Sequence, residues 1–202
     1  ALIDLALAEL TEGRPARHAK VPADDQRAWQ MLQLLTSKPV LFVANVDETS
    51  SATGNAYSKL VEARAKVEGA GCVVFSAQIE SELALLDGPD RDEYLASLGL
   101  TEPGLTRLIR AGYELLGLQT YFTAGPKEAR AWTIRKGWSA PKAAGVIHGD
   151  SEKGFIRAET IAFEDYIACN GEVGAKDAGK MRSEGKEYIV QDGDVMLFRF
   201  NV

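Results

Sequence analysis

The chain has 202 residues, 46% of them hydrophobic, which is enough for one large domain or two small ones with a buried core. No apolar run approaches the roughly 18 residues needed to span a bilayer, and the amino end lacks the pattern of a secretory signal. We therefore expect no membrane partner and a cytoplasmic protein. Two cysteines and two histidines argue against a disulfide framework and against a histidine-rich metal site.

The net charge of −6 is unevenly placed along the chain. Residues 118–202 contain 12 basic and 12 acidic residues, so the excess of acid lies entirely in residues 1–117. Overall acidity argues against a general nucleic-acid coat, although a neutral domain can still concentrate its cations on one face. The chain opens on Ala1 and enters a helical pattern at once, so we expect either a fragment or only the ordered residues of a longer chain.

The first elements predicted are two helices, over residues 2–12 and 22–37, the second with Pro22 in its first turn. The continuously apolar run "PVLFVAN" then predicts a strand buried on both faces of a parallel sheet. Residues 55–68 read as an amphipathic helix that ends at Gly69, and "CVVFSA" reads as a second buried strand. Strand, helix and strand together predict one βαβ unit.

Three more helices are predicted over residues 79–86, 90–98 and 104–116, after which the pattern changes. From Leu118 onward short strands dominate, namely "TYFTA", "ARAWTI", "AETIAF", "EYIV" and "VMLFRFNV", with one short helix near residues 141–148. A small α+β domain is expected there, with a boundary near residue 117.

Polar residues follow both predicted parallel strands, where an open α/β sheet binds its ligands. Asn45 ends the first strand with Glu48 three residues later, and Ser76 and Ala77 end the second. An amide can hydrogen-bond the Hoogsteen edge of a purine, a carboxylate can accept from its amino groups, and backbone N–H groups near Ser76 can donate to it. The alternative is that these residues form only a polar turn.

Three other patterns are expected to be structural. The segment "GAKDAGKM", residues 174–181, nearly matches a phosphate-binding loop, but Met181 replaces the hydroxyl that would hold Mg²⁺, so it predicts a polar loop or a short helix. Glu80 and Glu82 lie at a helix start, where acidic side chains are stabilising. His148, beside Asp150, has no nucleophile placed next to it by the sequence, so we expect no catalytic role.

The second domain interleaves cations with aromatic residues, a mixture that can bind RNA through phosphate contacts and base stacking. Equal numbers of acids leave an ordinary solvated surface as the alternative. The candidate residues for RNA or ribosome binding are Lys127, Arg130, Trp132, Lys136, Lys153, Arg157, Lys180 and Arg182.

The runs "LGLQTYFTAGPKEARAWTIRKG", "AAGVIHGDSEKGFIRAETI" and "GKMRSEGKEYIVQDGDVMLFRFNV", with "NVDE" upstream, resemble the YchF/Obg-like ATPase family over almost the whole chain. The resemblance implies an α/β fold, with part of a P-loop G domain followed by a small α+β domain of the β-grasp (TGS) type. It implies the end of a helical insertion over residues 1–37, the carboxyl-terminal part of the G domain over 38–117, and the TGS domain over 118–202.

The resemblance also implies a site. Asn45, Val46 and Glu48 match the family's NxxE base-recognition motif. The second strand end, which the resemblance likewise assigns to base binding, supplies Ser76, Ala77 and Gln78. The implied function is ATP or GTP hydrolysis with Mg²⁺ by a regulatory switch that acts near ribosomes or RNA.

Two expectations qualify that function for this chain. Because phosphoryl transfer depends on positioning the phosphates and the metal, and the sequence contains no P-loop motif, we expect no hydrolysis and no firmly bound cofactor here. The alternative function is a non-enzymatic TGS-type module that binds RNA, the ribosome or a small regulatory ligand.

Overall fold

The amino-terminal residues form a small helical cluster in the computed structural model, which describes residues 1–201. Helix α1 spans Leu2–Thr11, as predicted. The predicted helix over 22–37 is wrong, because α2 covers only Gln26–Met31, between single 3-10 turns at Ala23–Asp25 and Leu35–Ser37. Gln33 has a φ of 50°, a left-handed conformation that an α-helix cannot continue through.

A βαβ unit follows, as the apolar runs predict. Strands β1 (Leu41–Asn45) and β2 (Gly71–Phe75) pair in parallel, and helix α3 (Ala56–Glu68) connects them. The ends of α3 are defined by their sequence. The Asn55 side chain accepts from two backbone N–H groups of the first turn, and Gly69 ends the helix with a φ of 63°.

The expectation that β1 is buried on both faces is wrong. Val43, in the middle of β1, is 44% exposed, whereas Val73, its register partner on β2, is 8% exposed. The sheet in this part of the described chain has two strands, so β1 is an edge strand with no neighbour on its outer side.

Three helices complete the first half of the chain close to their predicted positions. The first two of them bury Ile79, Leu83 and Leu95 in a shared apolar cluster. Their bounds are Ala77–Leu83 for α4, Gly88–Ser97 for α5 and Gly104–Leu116 for α6. The described chain divides into two compact units between Leu115 and Leu116.

The second unit is a five-stranded mixed sheet with helices on it. Its strand order is β4-β3-β7-β5-β6, in which the β3–β7 pair is parallel and the other pairs are antiparallel. The core centres on Tyr121, Ile134 and Phe198. The strands are β3 (Leu118–Ala124), β4 (Ala129–Arg135), β5 (Phe155–Ala162), β6 (Arg182–Glu184) and β7 (Asp194–Phe200).

Two predictions for this unit need correction. "EYIV" is not a strand, because only Ile189 pairs, in an isolated bridge with Ser139. One helix was expected, and the described residues contain four, namely α7 (Ala140–Ile147), α8 (Gly149–Lys153), α9 (Phe163–Ala168) and α10 (Glu172–Asp177). Three of these have six residues or fewer, too few for a helical period to stand out in the sequence. Helix α10 confirms the short-helix interpretation of "GAKDAGKM" at its start. The last residue of the predicted terminal strand, Val202, lies outside the described residues.

The capping box of α3 gives a direct test of the local fold. Replacing Asn55 by Ala removes the acceptor for the N–H groups of Tyr57 and Ser58, and we expect it to lower the free energy of unfolding of the first unit by about 1 kcal/mol. Asn55→Asp keeps an acceptor and should stay close to the unchanged chain. Urea unfolding followed by amide exchange within α3 measures both, and equal losses in the two variants would contradict the capping role.

Candidate functional site

Asn45 connects the end of β1 to the start of α4. Its side-chain Oδ1 accepts a hydrogen bond from the backbone N–H of Ala77 at 3.0 Å, and Ala77 is the first residue of α4. The first N–H groups of a helix have no partner within it, so the Asn45 oxygen caps a helix that lies 32 residues further along the chain. Because the amide is planar, this bond also orients the exposed Nδ2, which carries two N–H donors.

Val46 extends the strand pairing by one residue past Asn45. Its N–H donates to the Phe75 carbonyl oxygen at 2.8 Å, and its side chain is buried. Neither its N–H nor its side chain is therefore available to a ligand. The place of Val46 in the predicted base-binding set would have to rest on its remaining backbone atoms.

Glu48 lies in a 3-10 turn, Glu48–Ser50, that Asp47 begins. The Asp47 Oδ1 accepts from the Thr49 hydroxyl at 2.7 Å and from the Ser50 N–H at 2.9 Å. The hydrogen bonds from Thr49 and Ser50 hold the pKa of the Asp47 carboxyl below its usual value. The Asp47 carboxylate therefore stabilises the turn. Glu48 is the other carboxylate of this segment, and its residue is half-buried.

Tyr94 carries a phenol that sequence reasoning missed. The Tyr94 hydroxyl, on α5, donates to the Glu82 carboxylate on α4. That hydrogen bond, with burial and the negative charges of Glu48 and Glu82, raises the pKa of Tyr94 to about 12. Glu82 therefore has a structural role, but it lies in the last turn of α4 and not at a helix start as expected. Tyr94 lies 12 residues from Glu82 and 46 from Glu48, and nothing in the sequence signals their meeting.

The residues predicted at the end of β2, namely Ser76, Ala77 and Gln78, differ in whether they are open to a ligand. The N–H of Ala77 donates to Asn45 in this structure, and the place of Ala77 in the base-binding set stays a prediction. Gln78 is exposed, and its Nε2 donates to Glu82 Oε1 at 3.3 Å. Ser76 is buried, and its Oγ has no hydrogen-bond partner among residues 1–201. Glu80, like Glu82, is structural, because its Oε1 accepts from the Gly104 N–H at 2.7 Å.

The predicted RNA-binding residues do not share one face of the second unit. Arg130 and Trp132 lie on the same side of β4, with the guanidinium 4.1 Å from the ring centroid. Arg182 lies opposite Thr160 in the β5–β6 pair, and alternation along β5 places Arg157 on the other face of the sheet.

Several of the predicted RNA-binding cations form ion pairs within the second unit. Lys180 lies 3.2 Å from Asp165, Arg157 lies 3.1 Å from Glu159, and Arg182 lies 3.3 Å from Glu184. The three remaining cations of the predicted set, Lys127, Lys136 and Lys153, are exposed.

His148 and the metal-ligating types of side chain are the remaining candidates for chemistry. His148 caps α8, since its Nδ1 accepts from the Asp150 N–H at 3.3 Å. The residues that the structure describes contain no cluster of three or more His, Cys, Asp or Glu side chains that could hold a metal ion. In the same part of the chain, no helix combines the length and the apolar character that crossing a membrane requires.

Comparison with known proteins places this architecture in one class. Residues 118–201 match the family model YchF-GTPase_C, described as "Protein of unknown function (DUF933)". The structure titled "Structure of the Schizosaccharomyces pombe YchF GTPase" matches 98% of this chain and 53% of its own, with a TM-score of 0.83 and 32% identity. The fold is therefore that of the YchF GTPases, a mixed α/β chain consistent with a partial G domain followed by a β-grasp-like domain, as the sequence predicts.

Curated relatives agree. "Ribosome-binding ATPase YchF" of Bacillus subtilis (strain 168) is 53% identical over 191 residues, which are 94% of this chain and 52% of that protein. The protein of the same name from Escherichia coli O157:H7 is 53% identical over 202 residues, 100% of this chain and 55% of its own length. The chain belongs to the YchF/Obg-like ATPase family, and it spans about half the length of the curated relatives it matches.

The Asn45 cap predicts that two substitutions of Asn45 differ in stability and in the exchange rate of the Ala77 amide. Asn45→Ala leaves the Ala77 N–H without its acceptor and should cost about 1 kcal/mol of unfolding free energy, with faster exchange of the Ala77 amide. Asn45→Asp keeps an acceptor at the same place and should preserve both.

Urea unfolding and amide hydrogen exchange measure these effects. Gln78→Ala serves as the control, because its exposed side chain bonds Glu82 and not the helix start. Equal protection of the Ala77 amide in the Asn45→Ala variant and the unchanged chain would contradict the cap.

Proposed function

We propose that this chain supplies the base-reading edge and the carboxyl-terminal accessory domain of a cytoplasmic, ribosome-associated nucleotide hydrolase. The observation that carries the proposal is the hydrogen bond between Asn45 Oδ1 and the Ala77 N–H, which leaves the amide donors oriented and exposed. The names of the relatives, "Ribosome-binding ATPase YchF", support the nucleotide and the ribosome as partners.

In this proposal the Asn45 Nδ2 donates to a ring nitrogen on the Hoogsteen edge of the purine, an acceptor that adenine and guanine share. Glu48 accepts from an amino group of the base. Its carboxylate is one methylene longer than an aspartate, which disturbs the clamp that would hold guanine and admits ATP as well as GTP. Gln78, whose side chain is exposed, forms the other wall of the base site.

The phosphates and Mg²⁺ are assigned elsewhere in the full-length protein. The described residues hold no cluster of three or more His, Cys, Asp or Glu side chains, and the sequence contains no P-loop motif, so we derive no hydrolytic step from them. Hydrolysis and a switch between nucleotide states would need the phosphate-binding half, since positioning the phosphates and metal supplies nearly all the catalysis.

A second candidate function concerns the second unit. It has its own apolar core around Tyr121, Ile134 and Phe198, and it carries exposed cations. These features support a non-enzymatic TGS-type module that docks on RNA, the ribosome or a small regulatory ligand. The two candidates are compatible, because base reading lies in the first unit.

The length of the Glu48 side chain gives the test of base reading. In the full-length protein, Glu48→Asp should shift the ratio of ATP to GTP affinities toward GTP by about 3- to 10-fold, the worth of roughly one hydrogen bond. Isothermal titration with both nucleotides measures the ratio.

Glu62→Asp is the matched control. Its charge acts on Cys72, near the opposite end of β2 from the site, so it should leave the ratio unchanged. An unaltered ratio in the Glu48 variant, together with full affinity in Asn45→Asp, would overturn base reading and favour a scaffold role for the βαβ unit.

A further inference from the structure

Two arginines lie side by side on the sheet of the second unit. Arg157 and Arg199 are direct partners in the antiparallel β5–β7 pair, and both donate to the carboxylate of Glu159. The Arg157 Nη2 lies 3.1 Å from Glu159 Oε1, and the Arg199 Nε and Nη2 lie 3.2 and 2.8 Å from Oε2. Sequence reasoning did not include Arg199, because only the strand register brings it to Arg157 across 42 positions.

The charges around Glu159 are unbalanced. The hydrogen bond from Arg199 holds the pKa of the Glu159 carboxyl below its usual value, helped by the positive charges of Arg199, Arg157 and Lys176, while burial opposes this. Glu159 has only 16% of its side chain exposed, whereas the two arginines have 53% and 51%. Glu159 therefore pairs with two arginines that are open to solvent, and α10 adds both Lys176 and Glu172, which lines the same small cavity as Glu159.

Further cations lie at the same end of the sheet. Because β3 and β7 are parallel, the turn after β3, which carries exposed Lys127, lies at the end of β7 that carries Arg199. Lys153 immediately precedes Gly154, whose carbonyl oxygen accepts from the Asn201 N–H just past β7. Exposed Lys127 and Lys153 thus lie at the end of the sheet that carries Arg199, each next in sequence to an exposed glutamate, Glu128 and Glu152.

We propose that Arg157 and Arg199, the arginine patch, bind the phosphate backbone of RNA. This inference rests on the proposed association with RNA or the ribosome and deepens it. Like charges directly opposite each other in a sheet repel. The single negative charge of Glu159 balances only one of the two arginines, so a second anion would be attracted to the pair. Each guanidinium has five N–H donors and uses one or two on Glu159, and the remaining ones match phosphate oxygens.

RNA is favoured over a single small anion because the patch has cations on two neighbouring strands, Arg157 on β5 and Arg199 on β7. Neighbouring phosphates of one strand can each meet a separate cation, and Glu159 holds both arginines in place before binding, which lowers the cost of ordering them. The chain as a whole carries a net charge of −6, so a polyanion needs such a local concentration of positive charge.

The test uses the complete 202-residue chain and a fluorescently labelled single-stranded oligouridylate, with affinity measured by anisotropy at several salt concentrations. Arg157→Gln and Arg199→Gln should each weaken binding several-fold and reduce the slope of log affinity against log salt by about 0.7, the value for one phosphate contact on a single strand. The double variant should show both losses.

Two variants make the assignment specific. Arg135→Gln removes the same charge from the same sheet face at the far end of the strands, so affinity and slope should not change. Arg199→Lys keeps the charge and loses the fork, so the slope should stay while affinity falls. Thermal unfolding checks that each variant keeps its fold.

The outcomes separate the patch from the function on which it rests. If the unchanged chain binds no oligouridylate, both the patch and the RNA part of the proposed function are overturned. If it binds and the double variant binds equally with the same slope, only the patch is overturned. If the chain binds polyglutamate as tightly as oligouridylate and the same variants lose that binding, the patch would be assigned to acidic proteins and the RNA assignment overturned.

Discussion

The hydrogen bond from the Ala77 N–H to Asn45 Oδ1 is the contact on which the candidate site depends. It joins the end of one parallel strand to the helix that follows its neighbour, so the two strand ends form one edge. Val46 strengthens the same edge by donating to Phe75, and Asp47 stabilises the turn that carries Glu48. A capping interaction of about 1 kcal/mol thus defines the geometry with which a base could be read.

Much of the first unit could be predicted from the sequence because its signals are local. The apolar runs of β1 and β2 and the caps of α3 each lie within a few residues, and Asn45 was visible as a polar strand end. The helix over 22–37 was wrong because spacing of apolar residues does not reveal a left-handed residue such as Gln33. The exposure of Val43 depends on how many strands surround it, which a single strand's sequence does not contain.

The contacts that sequence reasoning missed all arise from register or tertiary packing. Tyr94 reaches Glu82 because α5 packs near α4, and Arg199 faces Arg157 because of the β5–β7 register. Residue type alone grouped Arg130, Trp132 and Arg182 with Arg157, although strand alternation places them on different faces. Composition can identify a unit rich in cations, but only the sheet shows which cations act together.

The two units carry different chemistry. The first presents an oriented amide and a carboxylate at a strand edge, groups suited to a purine. The second presents cations held by a covered carboxylate, groups suited to phosphate. The proposed base reading and the proposed RNA binding would each use one of these sets of groups, and the division of the chain into two units places them in separate parts.

The most direct measurement for the central claim is a crystal structure of the full-length protein with a bound ATP analogue. The account predicts that Asn45 Nδ2 lies about 3 Å from a ring nitrogen of the adenine while Oδ1 still accepts from the Ala77 N–H. A base bound away from this strand edge, or an Asn45 amide turned so that its oxygen leaves Ala77, would contradict it.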